Sequence, residues 1–367
     1  MPIRLVVAPG LEQVLAAEVR DLGLGKPMVD AGGVEIEGDW QTVWRANLML
    51  RGASRVLVRL GAFRALHLAQ LDKRARKFPW AETLRPDVPV RVEATCKASR
   101  IYHAGAAQMR VERALREEMG ITIADDAPIR VMARIDDDLC TFSVDTSGAP
   151  LHQRGLKQAV GKAPLRETLA ALFLRQAGYT PPEPVLDPMC GSGTFLLEAA
   201  DLAAGQLPGR ARSFALEQLA SFNAARWANM TTQESADAAP TGAFFGSDRD
   251  AGAIKMAGEN AARAGLNSAI HLTHAPISAL ERPDGPPGLV MTNPPYGGRI
   301  GNKKLLYGLY AALGQVLRER FSGWRVGIVT SEPGLATATG LPINTAGPPV
   351  AHGGLKVRLY LSGTLPG

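Results

Sequence analysis

The tetrapeptide Asn293-Pro294-Pro295-Tyr296 has residue types suited to methylation of an amino group that is conjugated to a flat ring. Such an amine is a poor nucleophile because its lone pair is delocalised into the ring. The amide oxygen of Asn293 and the main-chain carbonyl of Pro294 could each accept one N–H and hold the nitrogen near tetrahedral geometry. Tyr296 would offer its ring face to the base. Asn-Pro and Pro-Pro pairs also occur in ordinary turns, so the motif alone leaves a purely structural interpretation open.

A second motif lies upstream, where residues 187–194 read Asp-Pro-Met-Cys-Gly-Ser-Gly-Thr between a short apolar segment and a helical pattern. Gly191 and Gly193 would let the backbone approach a ligand closely. The turn lacks the third glycine of a dinucleotide fingerprint and the lysine that a phosphate-binding loop needs before Thr194, which disfavours NAD and ATP. The preceding acid, Asp187, suits a ligand that carries a positive amine.

A third feature is the acid Asp248, which follows an apolar segment at 243–246. A carboxylate at the end of a second strand could bind both hydroxyls of a ribose. Acid, glycine turn, second acid and Asn-Pro-Pro-Tyr occur here in the order expected of S-adenosylmethionine-dependent methyltransferases that modify nucleobase amines. The three features together therefore predict such an enzyme.

The elements that must position these residues follow from hydrophobic periodicity. Strands are predicted at 185–186, 243–246, 270–272, 289–292 and 326–330, with helices between them. Alternating strands and helices build a parallel sheet, and its ligands bind beyond the carboxyl ends of the strands. Residues 356–361 are expected to form a last strand in an antiparallel hairpin. The polar composition of 230–241 is typical of a surface loop.

The N-terminal part has a different pattern. Strand and helix signals alternate over residues 1–60, which predicts a ferredoxin-like α+β module. Strands are expected near 88–94, 129–135 and 139–144, with a helix at 106–119. The interval 45–77 is basic, and its only acid is Asp72. We interpret this interval as a surface that follows RNA phosphates, although a solvated charged surface would have the same composition.

The chain resembles the THUMP-containing guanine-N2 methyltransferases of large-subunit ribosomal RNA. The resemblance is carried by the 187–194 motif, by Asn-Pro-Pro-Tyr, and by the segments Leu-His-Gln-Arg-Gly at 151–155 and Ala-Pro-Leu-Arg-Glu at 163–167. It implies a class I, Rossmann-like methyltransferase domain with a seven-stranded, mostly parallel sheet at 155–367. A ferredoxin-like domain at 1–60 and a THUMP RNA-binding domain at 61–154 would precede it.

The resemblance also implies the residues of the site. Candidate catalytic residues are Asn293, Pro294, Pro295 and Tyr296. Candidate residues for binding S-adenosylmethionine are Asp187, Pro188, Cys190, Gly191, Gly193, Thr194 and Asp248. Two departures stand out. Relatives often carry an acid for the adenine amine where this chain has His-Leu-Thr-His-Ala-Pro at 271–276, which leaves main-chain groups near Ala275. Relatives also tend to have Gly-Glu-Arg where residues 297–299 read Gly-Gly-Arg.

Composition limits the remaining alternatives. The formal charge of +6 and the pI of about 9.3 suggest an anionic partner. Three widely spaced cysteines, Cys96, Cys140 and Cys190, fit neither a zinc site nor a disulfide framework, and the N-terminus lacks a signal-peptide pattern. We therefore expect a cytoplasmic protein without a metal or a membrane span, and the sequence does not indicate its oligomeric state.

The expected reaction is transfer of a methyl group to guanine N2 in RNA, most simply in 23S ribosomal RNA. Three alternatives remain open: a transfer RNA guanine-N2 enzyme, a DNA adenine-N6 enzyme, and an RNA-binding assembly factor without activity. Cys190 could suggest the nucleophile of cytosine-C5 methylation, but it lies in the glycine turn and that reaction does not use Asn-Pro-Pro-Tyr. We interpret Cys190 as a packing residue.

Overall fold

A computed structural model describes residues 1–159, 165–234, 238–297 and 303–367. The chain divides into two compact units. Unit 1 comprises Met1–Val7, Ala16–Leu151 and Arg212–Glu234, and unit 2 comprises Ala8–Leu15, His152–Ala211 and Ser235–Gly367. The assignment of 61–154 to a THUMP domain stays a prediction, as do the boundaries at 60 and 154.

The strands have these bounds: β1 Pro2–Val6, β2 Met28–Asp30, β3 Gly33–Glu37, β4 Arg55–Arg64, β5 Val90–Lys97, β6 Ile129–Asp136, β7 Leu139–Asp145, β8 Val185–Asp187, β9 Phe244–Asp248, β10 Ile270–His274, β11 Leu289–Thr292, β12 Arg325–Thr330, β13 Ile343–Thr345, β14 Val350–His352 and β15 Leu355–Ser362. The α-helices are α1 Glu12–Asp21, α2 Trp40–Met49, α3 Leu68–Arg76, α4 Ala104–Met119, α5 Glu167–Gln176, α6 Thr194–Ala203, α7 Ala224–Glu234, α8 Ala251–Arg263, α9 Lys303–Arg320 and α10 Pro333–Ala338.

Unit 1 contains a sheet with the strand order β2-β3-β1-β4-β7-β6-β5. Strand β5 runs parallel to β6, and the other neighbouring pairs are antiparallel. Strand β4 extends past residue 60, the predicted end of the ferredoxin-like module, because it pairs with β1 on one side through residues 55–58 and with β7 on the other as far as Arg64. Residues before and after position 60 therefore share one sheet.

Unit 2 contains the second sheet, with the strand order β10-β9-β8-β11-β12-β15-β13 and β14 paired to β15. The first five strands in this order are parallel, and β15 and β13 are antiparallel additions at one side. Strands β8 and β11 are buried along their whole lengths, as expected of central parallel strands. This arrangement confirms the prediction of a mostly parallel, Rossmann-like sheet.

The predicted surface loop at 230–241 is wrong in its first part, because residues up to Glu234 continue helix α7. Met230 is buried, and Trp227 contacts Trp44 at 6.2 Å between ring centroids. These contacts join residues far apart in sequence, so local composition could not indicate them. Residues 235–237 lie outside the described residues. Among the described helices, none combines the length and the apolar character that crossing a bilayer requires.

Candidate active site

Three neighbouring parallel strands bring the predicted site residues to one edge of the unit 2 sheet. Strand β8 lies between β9 and β11, and its last residue, Asp187, pairs with Gly246. Asp248 ends β9, and Asn293 directly follows β11. Because parallel strands end at the same edge, both acids and the Asn-Pro-Pro-Tyr segment meet there. This is the edge where ligands bind in open α/β sheets.

The glycine turn after β8 is tied to the end of β9 by main-chain hydrogen bonds. The Cys190 N–H donates to the Ser247 carbonyl at 3.0 Å. The Gly191 N–H donates to Oδ2 of Asp248 at 3.0 Å, and Oδ1 of the same carboxylate accepts from the Asp250 N–H at 2.9 Å. Asp248 is therefore held in a fixed orientation and keeps further lone pairs for a ligand.

The turn itself needs glycine at two positions. Gly191 has φ +54° and Gly193 has φ +82°, a conformation that residues with a side chain rarely adopt. Apart from its two neighbours in the chain, no atom of the described residues lies within 4 Å of the position that a Cβ of Gly191 would occupy, so the turn borders open space there. The turn therefore fits a ligand that must approach the backbone closely, as S-adenosylmethionine would.

Asp187 is the most buried acid of the site, with 3% of its surface exposed. Burial raises the pKa of its carboxyl to about 7, and the nearby negative charge of Asp248 acts in the same direction. Its Oδ1 accepts a hydrogen bond from the Met189 N–H at 3.1 Å. An ammonium group at this position would favour the ionised carboxylate, because an opposite charge offsets the cost of burial.

The other predicted residues of the turn have mainly packing contacts. Pro188 and Cys190 are buried. Burial raises the pKa of the Cys190 thiol, which agrees with a packing role and not with a nucleophile. Its Sγ lies 3.2 Å from the position of a Cβ on Gly246. Thr194 begins α6, and its hydroxyl accepts a hydrogen bond from Nζ of Lys157 at 3.1 Å.

The Asn-Pro-Pro-Tyr segment presents an unusual acceptor. Oδ1 of Asn293 is buried and has no hydrogen-bond partner among the described residues. Pro294 is buried, Pro295 is exposed, and Tyr296 is half-buried against a core cluster that contains Tyr310. A buried acceptor without a partner is costly, so the amide oxygen of Asn293 is suited to bind a donor that arrives with a ligand.

Asn260 and Lys157, which the sequence analysis did not identify, link residues 157–159 to the glycine turn and to the first residue of α6. Asn260 on α8 is fully buried, and its Nδ2 donates to the carbonyls of Ser192 and Ala159 at 3.1 and 2.7 Å. Its Oδ1 accepts the N–H groups of Gln158 and Ala159, both at 3.1 Å. Lys157 forms an ion pair with Glu167 at 3.0 Å. A polar residue at an inward position of α8 was the only sequence signal for Asn260.

The main chain of Ala275, considered above for binding adenine, already has partners. Its N–H donates to the Asp248 carbonyl at 3.0 Å, and its carbonyl accepts from Oγ of Ser247 at 3.1 Å. These bonds join the ends of β9 and β10. Arg299, Ala163 and Pro164, which the motifs also include, lie outside the described residues. Within the described part of the chain, no group of three or more His, Cys, Asp or Glu side chains could hold a metal ion.

The basic interval at 45–77 is largely neutralised by acids from elsewhere in unit 1. Arg45 pairs with Glu234 at 2.8 Å, Arg59 with Glu35 at 2.8 Å, and Arg55 with Asp145. The guanidinium of Arg76 contacts carboxylates of Asp72, Glu117 and Glu118. Exposed basic residues remain on and next to α3, namely Lys73, Arg74 and Lys77. The surface formed by residues 45–77 therefore carries a smaller net positive charge than the sequence of this interval suggests.

Comparisons with known proteins agree with this geometry. Residues 154–350 match the family described as RMKL-like, methyltransferase domain, and residues 3–57 match the RlmL ferredoxin-like domain. A curated protein of Synechocystis sp., described as "Putative RNA methyltransferase slr0064", is 33% identical over 375 residues, which cover 98% of this chain and 97% of that protein.

Solved structures are similar over almost the whole chain. A predicted N6-adenine-specific DNA methylase from Listeria monocytogenes has 29% identity and a TM-score of 0.87, covering 99% of this chain and 96% of the other. The structure of SMU.472 complexed with SAH has 26% identity and a TM-score of 0.84, covering 98% and 97%.

Proposed function

The chain belongs to the RMKL-like methyltransferase family, and from that premise we propose that it methylates the exocyclic N2 amine of a guanosine in RNA. S-adenosylmethionine is the cofactor, and it supplies an electrophilic methyl group on a sulfonium. The proposed substrate is large-subunit ribosomal RNA. The observation that carries this proposal is the buried, unpartnered Oδ1 of Asn293 at the edge where Asp187 and Asp248 also lie.

Asp187 and Asp248 would hold the cofactor. The carboxylate of Asp187 pairs with the ammonium group of the methionine moiety, and that of Asp248 accepts the ribose hydroxyls. Gly191 and Gly193 allow the ligand to lie against the turn, with Pro188, Cys190 and Thr194 shaping the wall behind it. Burial and hydrogen-bond geometry around the turn support these proposed roles.

Asn293 and Pro294 would prepare the nucleophile. Their oxygens accept the two N–H groups of the amine, which draws the lone pair out of the ring and directs it at the methyl carbon. Positive charge grows on the amine during transfer, and both oxygens stabilise it more in the transition state than in the ground state. Tyr296 provides the ring against which the base stacks, supported by the core cluster behind it.

RNA is favoured over DNA as the substrate by the N-terminal region. Residues 3–57 match the ferredoxin-like domain of RlmL, and the Synechocystis relative is named as an RNA methyltransferase. The Listeria protein is described as a DNA methylase, so DNA remains one outcome of the test. Transfer RNA is another, because the same guanine chemistry would serve both RNA classes.

Nucleoside mass spectrometry tests the proposal. A strain that lacks the gene should lose N2-methylguanosine from one position of large-subunit ribosomal RNA, and the wild-type gene should restore it. Asn293→Ala should not restore it, because we expect turnover to fall about 100-fold or more while cofactor binding persists. Asn344→Ala, which changes an exposed asparagine on β13, is the matched control and should restore it.

Loss of N2-methylguanosine from transfer RNA instead would show that the substrate is a transfer RNA. Loss of N6-methyladenine from DNA, or no change in any nucleic acid, would contradict the proposed reaction. Full activity of Asn293→Ala on purified RNA would refute the role given to the amide.

A further inference from the structure

The β14–β15 hairpin extends past the edge of the sheet where the site lies. Strand β15 is antiparallel to β12, and Arg358 pairs with Thr330, the last residue of β12. Residues 355–357 therefore lie beyond the carboxyl end of β12, and Leu355, three residues past that end, lies about 10 Å beyond it at the usual rise per residue of a strand. Because β12 is parallel to β11 and β8, this is the edge at which Asn293 and Asp187 lie.

The tip of this hairpin is a tight turn and is partly apolar. His352 pairs with Leu355, so the loop has only two residues, Gly353 and Gly354, with φ values of +56° and +83°. Two positive φ values in a two-residue loop define a tight hairpin turn that suits the twist of the strands. Leu355 is nevertheless 40% exposed, and the next residue, Lys356, is also exposed.

The tip contacts the end of the Asn-Pro-Pro-Tyr segment. A Cβ on Gly297, the residue after Tyr296, would lie 3.1 Å from Cδ1 of Leu355. Leu355 is therefore a neighbour of the proposed base platform and not a remote surface residue. Leu355 and Lys356 are consecutive on β15, so their side chains point to opposite faces of the strand. An apolar side chain on one face and a cation on the other match the two chemical parts of a nucleic acid, the base stack and the phosphates.

We propose that the β14–β15 tip is a base-displacing wedge, with Leu355 entering the RNA stack where the target guanosine leaves it and Lys356 contacting a neighbouring phosphate. The inference rests on the proposed function. If the substrate amine belongs to a base in RNA, that base must leave its stack before the amine can reach Asn293. Extrusion breaks the stacking and pairing of the base, and an inserted apolar side chain offsets part of the lost stacking.

The wedge has a specific kinetic consequence. It should matter when the target guanosine is stacked and paired, and hardly at all when the base is already free. Two RNAs test this, each containing the guanosine identified by mass spectrometry. One is a single-stranded oligonucleotide, and the other is the same oligonucleotide annealed to its complement. Initial rates of methyl transfer are measured with saturating S-adenosylmethionine.

Leu355→Ala should be slower than wild type by about tenfold or more on the annealed RNA and by less than about twofold on the single strand. Leu355→Met keeps a long apolar side chain and should stay near the wild-type rate on both. Leu202→Ala, which removes a leucine of similar exposure (38%) on α6, is the control and should behave as wild type. Melting temperature and SAH affinity should be the same for all variants.

Equal rates of wild type and Leu355→Ala on the annealed RNA would overturn the wedge, and so would an equal loss on both RNAs. Activity of the wild type on the single strand alone would overturn it too, because no extrusion would then be needed. A wild-type protein that methylates neither RNA would overturn the proposed function and the wedge with it.

Discussion

Asp187 is almost completely buried, and its proposed role requires that its carboxyl carry a negative charge. Burial raises the pKa of its carboxyl to about 7, compared with 3.8 for an unperturbed Asp. In the folded, ligand-free protein the carboxyl therefore holds its proton at pH values where the unfolded chain has released it. Its contribution to stability is greatest below pH 3.8, falls as the pH rises, and is lost above about 7.

Cofactor binding should show the opposite trend with pH. An ammonium group beside Asp187 favours the ionised carboxylate, so protonation competes with binding below the pKa of about 7. We expect the affinity for S-adenosylmethionine to fall about tenfold between pH 8 and pH 6. Titration calorimetry in buffers of different ionisation enthalpy should also detect proton release on binding near pH 6. Asp187→Asn should bind more weakly at pH 8 and lack this pH dependence.

An affinity of the wild type that stays constant from pH 8 to pH 6 would contradict this assignment. So would an Asp187→Asn variant that keeps the same slope, because the titrating group would then lie elsewhere.

Helix α8 holds the glycine turn through one side chain. Asn260 makes hydrogen bonds to main-chain groups of Ser192, Gln158 and Ala159 at full burial. An amide is well suited to this role because it carries donors and an acceptor together. The glycine turn and residues 158–159 thus share one side chain as their hydrogen-bond partner.

Asn260→Ala should leave several of these buried main-chain groups without partners. We expect the free energy of unfolding to fall by about 2–3 kcal/mol and S-adenosylmethionine affinity to fall as the turn loses its support. Glu259→Ala, one residue away and exposed, is the control and should change both by little. Urea unfolding and calorimetry give the two quantities. If Asn260→Ala had the wild-type free energy of unfolding and the wild-type S-adenosylmethionine affinity, Asn260 would not support the glycine turn as proposed.

The two sheets also show that strands and helices depend on contacts that local sequence patterns do not contain. The sequence places most strands within two residues of their observed bounds, including β8, β11 and β12. It misses β2, α3 and the first part of the segment at 230–241. Helix α7 runs into that segment and is held by contacts of Trp227 with Trp44 and Phe222, which the composition of residues 230–234 cannot reveal.

At the scale of the whole molecule, residues 212–234 belong to unit 1 although they follow α6 of unit 2 in the chain. Arg212 donates to the carbonyls of Ser147, Ala149 and Pro150 at 2.6–3.0 Å. Trp227 contacts the rings of Trp44, Phe214 and Phe222, with centroids 5.8–6.2 Å apart. Polar and aromatic contacts together therefore secure this segment within unit 1.

Trp227→Ala should release this segment. Loss of three ring contacts and of the buried area should lower the stability of unit 1 by about 2–4 kcal/mol. Limited proteolysis should then cut within 212–234 faster than in wild type, while S-adenosylmethionine affinity stays unchanged because the site residues lie in unit 2. Arg226→Ala, an exposed residue of the same helix, is the control. Unaltered cleavage in Trp227→Ala would show that the aromatic contacts do not hold the segment.

The sequence by itself determined the family, the cofactor and the mostly parallel sheet; comparisons confirm the family and the cofactor, and the structure confirms the sheet. It could do so because the glycine turn, the acids and Asn-Pro-Pro-Tyr are short motifs whose chemistry depends on residue type and order. The guanine N2 position, ribosomal RNA and the THUMP domain stay predictions.

Tertiary structure decided what no local pattern contains. It paired Arg45 with Glu234 and Arg55 with Asp145, so that a basic stretch of sequence is not an equally basic surface. It also placed Asn260 against the glycine turn and Leu355 beside Gly297. The physical reason is that charge neutralisation, burial and close approach depend on distances in space, whereas the sequence fixes only distances along the chain.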